Sequence, residues 1–163
     1  PIEELHRLEA EGCDSPDRAA DCFGRLMKEL TVEHLLTMQT GNLFKLYNIH
    51  LEERSEEVRV QQMELVMDHW SAETVPTLLL GDFNTVPTKQ VYARCMDRGL
   101  VDLTGDTPET FHKFGQMNPG LKLDYIFTDP VTAGLAEEVA VWDQCVNGIY
   151  LSDHYPLELN ISL

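Results

Sequence analysis

The chain has 163 residues, 43% of them hydrophobic, with 28 Asp and Glu against 12 Lys and Arg, a formal net charge of −16. That is enough apolar material for the core of one globular domain, and it excludes a disordered chain. A field of this sign repels phosphate backbones at long range, so tight non-specific nucleic-acid binding is disfavoured unless a local cationic patch or divalent metals reverse it inside a cleft.

Residues 1–24 are polar and broken by Gly12, Pro16 and Gly24. With the next few residues they make 1–30 a polar surface segment leading into a domain that takes in the whole of 1–163. Residues 34–39 and 43–49 predict a hairpin about Gln39–Asn42, and its second strand ends in Asn48-Ile49-His50. Ser55 is a strong N-cap, and Glu56 and Glu57 place negative charge against the positive end of a helix running to about Trp70. Val58, Leu65 and Val66, with Gln62 and His69, mark its inner stripe; Arg54 and Arg59 read as solvating its outer face. The helix crosses over to a buried strand at Leu78-Leu79-Leu80, which gives the βαβ pattern of a mixed or parallel sheet. Gly81 lets the backbone turn, and Asp82 and Asn84, two apart on an extended stretch, point the same way outside the strand's carboxyl end. Open α/β sheets hold their ligand crevices there, although Gly-Asp-Phe-Asn also suits an ordinary turn. Residues 89–97 then predict a helix, 99–103 a short strand, 104–120 a loop and 121–127 a strand with Asp124 inside an apolar run. Residues 139–145 predict another strand, Asn147-Gly148 a turn and 155–163 a final alternating strand.

Cys13, Cys22, Cys95 and Cys145 form no CxxC pair, so neither a zinc site nor a redox motif is expected and reduced thiols are the default. No stretch reaches the roughly 20 apolar residues of a membrane helix. A cytoplasmic location is expected, with a signal peptide upstream of Pro1 left open.

Four strands thus end at, or contain, polar residues that are awkward in a core: His50, Asp82 with Asn84, Asp124, and Asp153 with His154. Each alone has a plain explanation, as a satisfied core histidine, a loop cap or a turn before a strand. Together at strand termini they point to a hard-metal site. Carboxylate and amide oxygens suit Mg²⁺ or Mn²⁺, which bind through few protein ligands and substrate phosphate.

Asn48-Ile49-His50-Leu51 followed by RSEEVR at 54–59, LLLGDFN at 78–84, TFHKFG at 110–115, KLDYIF at 122–127 and SDHYP at 152–156 together resemble the endonuclease/exonuclease/phosphatase superfamily, in the family's order over about residues 34–163. The resemblance implies a metal-dependent phosphoesterase with a two-sheet α/β sandwich of the DNase I-like type, helices outside. It implies that Asp82 orients or deprotonates the attacking water, that Asn84 holds that water or a phosphoryl oxygen, and that Asp153 joins Asp82 and Asn84 at a Mg²⁺ or Mn²⁺ site. His154 would touch the phosphate, Asp124 would fix its tautomer, and His50 would contact a nonbridging oxygen. In-line attack by water needs no covalent intermediate.

The sequence departs from the family in its first half. Neither a strand ending in a metal-binding asparagine nor a Gln-Glu pair is found; Gln39 is followed by Thr40. The expectation is therefore the carboxyl-terminal portion of the domain, an incomplete sandwich with weakened metal affinity and self-association through exposed sheet. The alternative is a partial domain that binds a partner without catalysis. The substrate is expected to be a phosphate ester, with small phosphodiester, phosphomonoester, phospholipid head group and short single strand all open. Lys113 and Lys122 are too few for a duplex-DNA groove.

Overall fold

Ser55 opens the first crossover as expected. In the computed structural model, which describes residues 44–71, 73–150 and 152–162, its hydroxyl accepts the Val58 N–H at 3.3 Å at the start of α1 (Glu56–Trp70). The predicted strand over 34–39, the 1–30 segment, Cys13 and Cys22 lie outside the described residues.

The buried side chains of α1 are Val58, Arg59, Gln62, Met63, Val66 and Met67. This is two adjacent rows at a spacing of four, so Met63 and Met67 replace the expected Leu65 and His69; Leu65 is half-buried and His69 exposed. Arg59, expected outside, is inside. A stripe drawn from hydropathy alone passes over a long polar side chain that turns in to meet the backbone carbonyls of Glu52 and Glu53.

The crossover joins β1 (Lys45–His50) to β2 (Thr77–Asp82), which pair in parallel from Lys45 with Thr77 to His50 with Asp82. After α2 (Gln90–Asp97), β3 (Val101–Asp102) and β4 (Asp124–Thr128) complete a four-stranded mixed sheet in the order β1-β2-β4-β3. A short helix not anticipated from the sequence, α3 (Pro130–Ala133), follows β4. Asp129 caps it by accepting the Val131 and Thr132 N–H groups, with Pro130 at its first position. The second sheet pairs β5 (Ala136–Val141) with β6 (Leu157–Ile161), antiparallel. Strand β5 begins and ends earlier than the predicted 139–145, and the chain beyond it makes the predicted turn at Asn147 (φ 53°) and Gly148 (φ 77°), closed by a bridge between Val146 and Ile149.

Strand alternation divides the apolar residues between two cores. Tyr47, Ile49, Leu79, Tyr125 and Phe127 pack with Met63, Val66 and Met67 of α1 and with Val91 and Cys95 of α2. Leu78 and Ile126 face the other way, against Val139, Leu157, Leu159 and Ile161 of the second sheet. The result is a two-sheet α/β sandwich with helices on the outside of the larger sheet.

Gly81 is the one glycine on which the arrangement at the end of β2 depends. Its φ is +129°, and a Cβ there would stand 1.9 Å from the carbonyl oxygen of Ile49 on β1. Only glycine brings β1 and β2 together at this rung.

Candidate active site

The sheet register places three of the expected residues on one rung. His50 lies beside Asp82 across the parallel pair, and Asp82 beside Asp124 across the antiparallel one. Counting alternation from Leu78 and Leu80, all three side chains project on the face that carries the second sheet. That second sheet delivers His154, just ahead of β6, to the same place.

Asp82 is the centre of the group. Its Oδ1 accepts the Asn84 N–H at 2.8 Å, while its Oδ2 lies 3.6 Å from His50 Nε2 and 3.8 Å from His154 Nε2. Burial pushes its carboxyl above the usual range and the neighbouring Asp124 charge adds to this, against the opposing Asn84 N–H bond and the two imidazoles. Asn84 sits at φ 47° and donates through Nδ2 to the carbonyl of Leu51 at 2.8 Å, which fixes its amide and leaves Oδ1 unengaged by the described residues.

Asp124 and His154 form the tightest pair, Oδ2 to Nδ1 at 2.7 Å. With the carboxylate as acceptor, Nδ1 carries the proton and Nε2 is the atom turned toward Asp82. Asp124 is itself held from behind. The Thr110 hydroxyl, on a fully buried residue, donates to the same Oδ2 and accepts the Leu123 and Asp124 N–H groups at 3.2 and 3.1 Å. The Phe111 ring packs at 4.9 Å on the imidazole of His154. Thr110 and Phe111 are site residues that the sequence does not single out. They open the TFHKFG motif, but a threonine hydroxyl gives no sign in sequence of the carboxylate it will meet.

Asp153 is placed differently from the rest. Its carbonyl accepts the His112 and Lys113 N–H groups at 2.9 and 3.2 Å and so ties the 110–115 loop to the residue before His154. Its carboxylate is not part of the cluster. Among the described residues, the potential metal-ligating group is Asp82, Asp124 and His154, each offering one atom within 4.8 Å of the others. The two carboxylates suit a hard divalent cation; His154 Nδ1 and Asp82 Oδ1 are already committed, which leaves Asp82 Oδ2 as the best-placed oxygen. Lys122 turns into the 104–107 loop, where its ammonium donates to the carbonyls of Thr104 and Gly105.

A model of the endonuclease/exonuclease/phosphatase family matches residues 29–154. No curated protein matches the sequence. An endonuclease/exonuclease/phosphatase family protein from Bacteroides thetaiotaomicron is similar at 25% identity and a TM-score of 0.64, over 74% of this chain and 50% of that one. Two further structures share the fold. A mannosyl-6-phosphatase from the same organism has 23% identity and a TM-score of 0.63, over 76% and 53% of the two chains. A 3′ phosphatase from Neisseria, bound to a product DNA hairpin, has 19% identity and a TM-score of 0.60, over 75% and 63%. The chain spans about half the length of the first two of these solved structures. No helix among the described residues is long and apolar enough to cross a membrane.

Proposed function

Since the chain belongs to the endonuclease/exonuclease/phosphatase family, we propose that it carries the water-activating and phosphate-contacting side of a divalent-metal-dependent phosphoesterase. The observation that carries this reading is the single rung His50–Asp82–Asp124, closed by the 2.7 Å bond from Asp124 to His154. Hydrolysis of a phosphate ester needs a positioned water in line with the leaving group and neutralisation of the phosphoryl oxygens, and no protein nucleophile.

In this proposal Asp82, whose carboxyl is more basic than usual, accepts the proton of the attacking water, and the fixed Asn84 amide orients it. Thr110 and Asp124 hold His154 with Nδ1 protonated, so that Nε2 faces the phosphoryl group; His50, exposed at the other end of the rung, meets a nonbridging oxygen. Asp82, Asn84 and Asp153 would hold Mg²⁺ or Mn²⁺, which when bound offsets negative charge on the phosphate. The net charge of −16 favours small phosphate esters over duplex DNA.

The test is turnover of bis(p-nitrophenyl) phosphate and p-nitrophenyl phosphate with Mg²⁺ or Mn²⁺, before and after Asp82→Ala and His154→Ala. Each substitution is expected to lower kcat by about 10²–10⁴. Metal-dependent turnover that survives both removes these residues from the chemistry.

A second reading draws on the chain's spanning about half of its relatives' length and on the exposed Trp142, Val146 and Ile149 beside the second sheet: a module that binds a partner or a second copy without turnover. Sedimentation as a monomer over a wide concentration range would count against self-association.

A further inference from the structure

Two buried polar side chains of α1 reach back to the loop that follows His50. Arg59 is 8% exposed, and its Nη1 donates to the carbonyls of Glu52 and Glu53 at 2.8 and 3.0 Å. Gln62, one turn on, accepts the Glu52 N–H at 2.9 Å through Oε1. The same stretch is gripped from the opposite side. Leu51 N–H donates to the Asp82 carbonyl at 2.9 Å, and the Leu51 carbonyl accepts from Asn84 Nδ2 at 2.8 Å. Residues 51–53 are thus a backbone splint between α1 and the Asp82–Asn84 turn.

The manner in which Arg59 is held is informative. Among the described residues this guanidinium meets only carbonyl oxygens, no carboxylate, and its Nε has no partner. Burying a cation without a carboxylate costs stability, and an arginine serving helix solubility has no need of it. Arg54 shows the ordinary case, 86% exposed and paired with Glu53.

We infer that Arg59, seconded by Gln62, is a positioning residue: it fixes the backbone of 51–53 so that Leu51 holds the Asn84 amide in one orientation and His50 stays beside Asp82. The catalytic consequence rests on the phosphoesterase reading above; the splint itself does not. A planar fork can bridge two carbonyls, whereas a lysine ammonium acts as a point charge, so Arg59→Lys restores the function only in part.

Native-state amide exchange and turnover are to be measured on the 163-residue chain, as wild type, Arg59→Met and Arg59→Lys. The methionine keeps most of the volume and removes the donors. It is expected to speed exchange at Leu51 and Glu52 about ten-fold or more, since two hydrogen bonds to the 52–53 backbone are lost, while Leu79 and Phe127 in the core stay protected. kcat should fall about ten-fold with KM little changed, and Arg59→Met should add less than its own full loss to that caused by Asn84→Ala, because the two share the route through Leu51 while the hold on His50 does not pass through Asn84. The lysine variant should fall between methionine and wild type. Unchanged exchange at Leu51 and Glu52, a uniform loss of protection across the core, loosened exchange with unchanged kcat, or additive effects with Asn84→Ala would each overturn the inference. A wild-type chain without turnover overturns the phosphoesterase reading instead, and the exchange measurement then decides the splint alone.

Discussion

Replacing Thr110 with Val tests how Asp124 and His154 are held, because the two side chains have nearly the same shape and differ in a hydroxyl. Thr110 is fully buried, and that hydroxyl makes three contacts: it donates to Asp124 Oδ2 and accepts the N–H groups of Leu123 and Asp124. The substitution removes a hydrogen bond to a charged group, about 2 kcal/mol, and leaves two weakly bonded amides to find other partners, together about another 1 kcal/mol. A loss of about 3 kcal/mol in a chain of this size corresponds to a fall in Tm of roughly 6–12 °C. In the proposed mechanism the same change frees the Asp124 carboxylate to rotate and so weakens its grip on His154 Nδ1, lowering kcat about ten-fold where the protein is still folded. Thermal and urea denaturation give the first quantity, and turnover well below the transition gives the second. Thr110→Ser, which keeps the hydroxyl and loses a methyl, should retain most of the activity. If serine is as damaging as valine, packing and not the hydroxyl is responsible, and the argument fails.

Gly81→Ala should cost about 4 kcal/mol or more, because the new methyl lies 1.9 Å from the Ile49 carbonyl and the backbone is at φ +129°; a soluble variant with an unchanged denaturation midpoint would show that β1 and β2 can separate there cheaply. Asp82→Asn should stabilise the fold at neutral pH while abolishing turnover. Burial raises the Asp82 carboxyl, so its contribution to stability is fully present below the unfolded carboxyl range, near pH 4, and is lost as pH rises through the folded value. The gain from Asn should therefore vanish in acid and be present near neutrality, as thermal melts at pH 3 and 7 will report. Chelation should abolish turnover, and restoring Mg²⁺ or Mn²⁺ but not Ca²⁺ should recover it, since a site of few oxygens suits the smaller cations; full activity in excess chelator would remove the metal from the proposal.

What can be read from the sequence, and what cannot, follows from how each feature is encoded. The rung of His50, Asp82 and Asp124 is legible because strands impose a period of two and because each residue interrupts or ends an apolar run, so their faces follow from counting along each strand. The crossover helix is legible at Ser55, where capping chemistry is local. Its buried face is not fully legible, since Met63 and Met67 pack in place of the expected Leu65 and His69, and Arg59 lies inside. Thr110 and Arg59 share one property that hides them: their partners are backbone atoms, or a carboxylate 14 residues away, and neither leaves a periodic mark. Asp153 shows the converse. Its place beside His154 puts it in the expected metal set, and the structure adds a backbone role that no motif spells out: its carbonyl accepts the His112 and Lys113 N–H groups and anchors the 110–115 loop. The groups that carry charge at this site are therefore visible as interruptions of pattern. The groups that hold them still are visible only through the hydrogen bonds that run from Thr110 to Asp124 to His154, and from Arg59 through Leu51 to Asn84.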